Sequence, residues 1–255
     1  MTLILTAILI AGVTFGSGMG ALHLQRFLPE SMRSDSCRTV IAQVSALLSV
    51  LLAMVLGGLV GTSFSFFFAQ KSNMDTLSAQ VLELDRALAE YGPEAGGARA
   101  QLKENVLQGF EVFSGHRQVD PGAFTTVARP LAQEDATNAV LASLQPKSEA
   151  QKHALARAQQ FATAMHQSRL LLSLEIAGPL VPWQLVVIVA FWAAALFFGY
   201  GLFAPNNAAI IIALALAAVS IGLAIFLIFD LRQPYTGVFR ISPGSLRETI
   251  KFLSG

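Results

Sequence analysis

WQLVVIVAFWAAALFFGYGLF-APNN-AAIIIALALAAVSIGLAIFLIF, residues 183–229, decides the fold. Two apolar runs, 183–203 and 206–229, contain no Asp, Glu, Lys or Arg and are joined through Ala204-Pro205-Asn206-Asn207. About 20 apolar residues in a helix cross the hydrocarbon core of a bilayer, and only helices or closed barrels satisfy the backbone there. A link this short leaves an antiparallel helical hairpin as the solution. Pro179 and Pro182 stand at its entrance, where a helix tolerates missing backbone donors.

Working outward, two further stretches read the same way. Residues 3–24 carry no charge and predict a first crossing. A cleaved signal peptide fits them poorly, because no Lys or Arg precedes the run and no small-x-small cleavage site follows it. Residues 39–70 are free of charge up to Lys71 and predict a second crossing, long enough to tilt. Four crossings place both ends of the sequence and the central segment on one side. That face carries Lys71, Arg86, Arg169, Arg232, Arg240, Arg247 and Lys251 against Arg26, Arg33 and Arg38 in the first loop, which favours a cytoplasmic central segment.

The composition agrees, with 54% hydrophobic residues and 13% charged over 255 residues, where soluble domains carry roughly 25% charge. A net charge of +1 with no basic run excludes nucleic acid as an expected partner. Cys37 is the single cysteine, so no intramolecular disulfide and no cysteine-based metal cluster is expected. The four histidines, His23, His116, His153 and His166, are scattered. On a shared helix His153 and His166 point to nearly opposite sides, at about 100° per residue. Neither metal nor cofactor is expected.

Between the second and third crossings the chain changes character. Leu77, Val81, Leu84 and Leu88 form the seam of an amphipathic helix that ends at Tyr91-Gly92-Pro93. Leu102, Val106, Phe110 and Phe113 mark a second, and a turn-rich stretch, 114–121, follows. A third helix spans about 130–144 and is stopped by Pro146. Ser148 caps a long helix toward Glu175, with Leu155, Ala158, Phe161, Ala162, Met165 and Leu172 as its buried positions. The segment has no glycine-rich phosphate loop, helical His-Glu-x-x-His pair or nucleophile elbow, so an enzyme is not expected. The reading is an all-α polytopic membrane protein: transmembrane helices one and two in 1–71, a helical soluble domain in 72–178, a transmembrane hairpin in 179–229, and a tail, 230–255, docking at the membrane surface.

Small residues track along two of the membrane helices. Gly12, Gly16 and Gly20 repeat on the first; Ser45, Ser49, Ala53, Gly57, Gly61 and Ser65 repeat on the second. In lipid, small residues allow helices to pack closely, which is the plain reading of both tracks. The sharper reading makes Ser45, Ser49, Gly57, Gly61 and Ser65 pore-lining, with Phe64, Phe66, Phe67 and Phe68 as a hydrophobic constriction that gates by dewetting. Proton pumps, ion-coupled transporters and voltage sensors place ionisable groups within the bundle, and the four stretches hold no Asp, Glu, Lys or Arg. A passive pore remains, as does a scaffold without transport function.

Two motifs carry a resemblance. Leu84-Asp85-Arg86-Ala87-Leu88-Ala89-Glu90-Tyr91-Gly92-Pro93-Glu94-Ala95 followed by Arg99, and Asp230-Leu231-Arg232-Gln233-Pro234-Tyr235-Thr236-Gly237 running on through Arg240 to Pro243, resemble the bestrophin-like family of bacterial and plant membrane proteins. The first matches its Tyr-Gly-Pro-Glu-Ala pattern, the second its Asp-x-x-x-Pro-aromatic-x-Gly signature after the last helix. The resemblance covers essentially the whole chain, and it implies a homo-oligomer, a pentamer, in a bacterial inner membrane. There the second helix of each subunit would surround a central anion-conducting pore for small inorganic ions. The first loop departs from the pattern, carrying Ser34-Asp35-Ser36-Cys37 without the histidine-containing stretch of many relatives. Physically, Asp230 ends a helix at the unfavourable pole of its dipole and calls for a cation, with Arg99 and Arg240 as candidates by sign. Pro234 and Gly237 suit a tight turn. The alternative to a channel is a membrane scaffold or signalling protein that recruits a partner through the soluble helices.

Overall fold

In the computed structural model, which describes residues 2–27, 29, 34–113, 128–177, 183–235, 237–242 and 244–254, all regular structure is helical. The helices are α1 (Thr2–Leu24), α2 (Asp35–Tyr91), α3 (Gly96–Phe113), α4 (Ala128–Ser143), α5 (Glu149–Ala177), α6 (Trp183–Phe203), α7 (Ala208–Leu231) and α8 (Gly244–Ser254). Short 3-10 turns follow α1 at Gln25–Phe27 and α2 at Pro93–Ala95. Pro179, Pro182, His116, Arg33 and the turn-rich 114–121 lie outside the described residues.

Among the described residues, four helices are long and apolar enough to cross a membrane: α1 with its 3-10 extension, α2, α6 and α7. The uncharged stretch that ends at Gln70 and the amphipathic seam that follows it belong to one helix. α2 runs unbroken to Tyr91 because residues 62–91 contain neither Gly nor Pro. The switch from apolar to amphipathic pattern changes what surrounds the helix without changing its backbone. Gly92, with no Cβ, ends it at φ 118°.

The chain divides into two compact units, Met1–Phe66 with Pro179–Gln233, and Phe67–Gly178 with Pro234–Gly255. In the first, α1 packs on α6 and α7 around Ile10, Leu22, Val189, Ala193, Phe197 and Ala218. The approach is backbone to backbone. A Cβ added to Gly201 would overlap the Gly18 carbonyl, and one on Gly222 would come to 3.0 Å from the Ala7 carbonyl oxygen. Ser17 Oγ donates to the Ala194 carbonyl at 2.7 Å, tying α1 to α6. At the hairpin turn Asn207 caps α7, its Oδ1 accepting from the Ile210 N–H at 2.9 Å.

The second unit is organised by a leucine and alanine seam. Leu77, Val81, Leu84 and Leu88 of α2 join Leu102 and Val106 of α3, Leu141 of α4, Ala158, Ala162 and Met165 of α5, and Leu246 of α8 in one core. Leu155, Phe161 and Phe110 pack against it partly buried. Ser148 caps α5 as expected, its Oγ accepting from the Gln151 N–H at 3.2 Å.

Candidate functional site

Two sets of residues were singled out by sequence, and the structure treats them differently. The pore candidates lie along α2. Ser45 is buried and sits under α6, where a Cβ on Gly199 would come to 2.5 Å from its hydroxyl oxygen. Its side chain is turned into its own unit, so it offers nothing to an ion passing along the outer face of α2. Ser49 is half-buried and donates its hydroxyl to the Ala46 carbonyl at 2.7 Å. Gly57 and Gly61 are exposed, with Gly58 beside them, and no atom lies within 4 Å of where a Cβ on any of the three would stand. Ser65 is exposed, and Phe64 is 40% exposed. Phe66 lies beneath the Arg232 guanidinium, 5.1 Å from ring to cation. Phe68, described with the second unit, is 61% exposed and meets Phe67 edge to face at 6.0 Å. One side of α2 is therefore engaged with its own chain, and the side bearing Gly57, Gly61 and Ser65 is exposed.

The first-helix track gives a parallel result. Gly12, Gly16 and Gly20 have nothing within 4 Å of an added Cβ, whereas a Cβ on Gly18, two positions from Gly16 and from Gly20, would stand 3.5 Å from Leu214 and from the Phe197 carbonyl. Among the described residues, glycines that knit the first unit together are Gly18, Gly199, Gly201 and Gly222. Sequence reasoning missed them; Ala218-x-x-x-Gly222 on α7 is the small-residue spacing that could have pointed there. Beside this contact, α1 and α7 leave an apolar groove of about 610 Å³ lined by residues such as Ala11, Gly12, Ala218 and Phe226. It holds no convergent polar groups of the kind that fix a bound molecule's orientation.

The Tyr-Gly-Pro-Glu-Ala motif builds a corner. Asp85, buried, accepts from Arg99 Nε at 2.7 Å and from Nη2 at 2.8 Å, a bidentate clamp between α2 and α3. The hydrogen bond with Asp85 pushes the Arg99 guanidinium to a still more basic value, against its partial desolvation. Tyr91 is buried, and its carbonyl accepts from Gln151 Nε2 at 3.1 Å. Gln151 Oε1 in turn accepts from the Lys147 N–H at 2.7 Å, so one side chain fastens the α2–α3 corner to the start of α5. Gly92 supplies the positive φ, and Pro93 opens the 3-10 turn, in which the Ala95 N–H donates to the Gly92 carbonyl at 3.1 Å. Glu94 faces Lys147 at 3.9 Å, and Glu90 accepts from Arg157 at 2.7 Å. Farther along α5, burial pushes Arg169 down to about 10, which leaves it charged at neutral pH.

The tail motif builds a closed turn. The Pro234 carbonyl accepts from the Ile241 N–H at 2.8 Å, and Arg240 Nε donates to the Gly237 carbonyl at 2.8 Å. Tyr235 Oη donates to the buried Gln70 Oε1 at 3.1 Å. Asp230 is buried in the last turn of α7. Arg99, expected as its possible partner, belongs to Asp85 instead: Arg99 sits one helical turn past the Gly92 corner, which folds it back onto α2. The rest of the tail packs within the second unit. α8 packs on α3, with Leu246 in the core of the second unit and Arg247 over the Phe110 ring at 5.7 Å.

A family model for the bestrophin-like domain matches residues 12–246. No curated protein and no solved structure matches the chain.

Proposed function

We propose a function from one premise: the chain belongs to the bestrophin-like family. On that premise this integral membrane protein is an oligomeric ion channel that passes small anions, with α2 of each subunit around a shared axis. It crosses the membrane four times, through α1, the first part of α2, α6 and α7, with the ends of the sequence and the helical soluble domain of 72–178 on the cytoplasmic side. Five copies close the ring.

The observation that carries the reading is the open side of α2. Gly57 and Gly61 have no neighbour over them while the opposite side of the same helix packs on its own chain. Glycine lets helices approach closely in lipid, and along a pore it exposes backbone dipoles to a permeating ion while phenylalanine narrows the passage. Ser49, Gly57, Gly61 and Ser65 then face the axis or the neighbouring subunit. Phe64 and Phe68, on consecutive turns of α2, form the hydrophobic constriction. Ser45 takes no part.

Purified protein in planar bilayers should conduct, with a reversal potential that follows the chloride gradient. Phe64→Ala and Phe68→Ala should each raise open probability or change rectification, because a smaller ring wets more readily. An assembly with α2 facing lipid, or one that passes no current across chloride gradients and voltages, removes the channel reading.

A further inference from the structure

We infer that the turn at 234–241 is a membrane-interface anchor, in which Val238 and Phe239 seat in the boundary between headgroups and acyl chains of a bilayer bearing anionic lipid. The inference rests on membership of the membrane and not on conduction, so it stands or falls separately from the channel.

Four observations converge on it. Val238 is 71% exposed and Phe239 51%, two adjacent large apolar side chains at the tip of a turn. Single exposed apolar residues are ordinary on any surface; here two exposed apolar side chains stand side by side on one turn. The turn is already shaped, because the Ile241–Pro234 hydrogen bond and the Arg240–Gly237 hydrogen bond close it. A pre-formed loop loses little conformational freedom when it docks.

The chain itself tethers this turn near the bilayer. Pro234 lies three residues past Leu231, the end of α7, about 10 Å of backbone at full stretch. Phe239 is two residues from Ile241, which is bonded to Pro234, so the pair cannot stray more than about 20 Å from the end of a membrane-crossing helix. The entrance of α6, at the same end of the α6–α7 hairpin, carries Trp183, 69% exposed. Tryptophan concentrates at the headgroup level, where its ring is apolar and its N–H finds polar partners.

Charge selects the occupant. Between Asp230, buried in α7, and Glu248, paired with Lys251, the tail carries Arg232, Arg240 and Arg247, of which Arg232 and Arg247 lie over Phe66 and Phe110. Arg240, exposed and next to Phe239, spends only Nε on the Gly237 carbonyl. An apolar pair flanked by arginine is the composition that binds an anionic bilayer surface, apolar groups below the headgroups and cations among the phosphates.

The test uses the single native cysteine. In full-length protein with Cys37→Ser, Val238→Cys or Phe239→Cys is labelled with an environment-sensitive fluorophore and reconstituted into vesicles of phosphatidylcholine and phosphatidylglycerol. A label at Lys152→Cys serves as the aqueous reference. The anchor predicts blue-shifted emission at 238 and 239, quenched more by a nitroxide near the lipid headgroup than by aqueous iodide, with the reverse order at 152. Replacing phosphatidylglycerol by phosphatidylcholine, or adding Arg240→Gln, should shift the emission toward red. Quenching by iodide alone means a solvated turn and overturns the inference. Quenching by neither agent means protein covers the pair, as a second copy would, and overturns it as well.

Discussion

The two units hold themselves together by opposite means. In the first, α1 meets α6 and α7 where Gly18 faces Gly201 and Ala7 faces Gly222, backbone against backbone with one hydroxyl hydrogen bond between helices. In the second, the apolar seam of α2, α3 and α5 is pinned by Asp85–Arg99, Glu90–Arg157 and Gln151 on the Tyr91 carbonyl. Solvent explains the difference. Leucine against lipid is as comfortable as leucine against leucine, so helices within a bilayer gain only from approach. If the second unit is the soluble domain proposed above, water drives its seam together without direction, and hydrogen-bonded clamps then select one register among many.

That contrast is breakable, starting with its strongest point. Gly201→Val places a branched side chain against the Gly18 backbone, where neither chain can yield by rotating a bond. The expected cost is about 3 kcal/mol or more, enough to abolish a monodisperse peak in detergent; a variant that elutes and melts like the parent would refute close packing in the first unit. Asp85→Asn leaves Arg99 without its carboxylate. Asp85 is buried and Arg99 half exposed, so the cost falls at about 2 kcal/mol, between the values for surface and buried pairs. A double-mutant cycle with Arg99→Gln should recover about 1 kcal/mol or more of coupling. The Arg99 side of that cost should not vary across neutral pH. Its folded value is raised, so its contribution is complete below the ordinary guanidinium value and is lost only as pH climbs through the folded one.

Smaller effects sharpen the comparison. Gly92→Ala forces a Cβ into φ 118°, 3.2 Å from the Glu94 carboxylate, and should cost about 1–2 kcal/mol in denaturant unfolding of the full chain. Asn207→Ala removes one capping acceptor at the exposed α6–α7 turn. It should cost about 1 kcal/mol at most and leave the elution profile unchanged. An Asn207→Ala effect exceeding that of Asp85→Asn would invert the account of where directional bonds matter.

Much of the first unit was legible because lipid imposes one rule, a long uncharged run, and residues 3–24, 183–203 and 206–229 obey it openly. The end of α2 at Tyr91-Gly92-Pro93 was legible too, but its continuity was not, since composition changes at Lys71 while helix formation does not. The glycine tracks were legible as shared faces and illegible as contacts. Spacing says which residues look the same way; it does not say whether anything is there, and Gly18 was passed over in favour of Gly12, Gly16 and Gly20. The candidate corner residues were found as a motif, but their role needed the fold. Arg99 was offered to Asp230, beside Arg240, by sign alone, while Asp85 stood 14 positions away across a glycine turn that brings the pair together. Ser45 shows the same limit within α2, a hydroxyl on the expected helix facing its own unit.

Leu246 carries a last implication, for biosynthesis. It is a core residue of the second unit, yet it follows α6 and α7 in chain order, whereas most of that core comes from residues 77–165. A ribosome that has finished α5 has therefore made a unit missing its final piece, and it supplies that piece only after both later membrane helices have emerged. Completion of one unit is in this way made to wait on translation through the other, and a nascent chain stalled between Phe203 and Ala208 should remain a substrate for quality-control proteases.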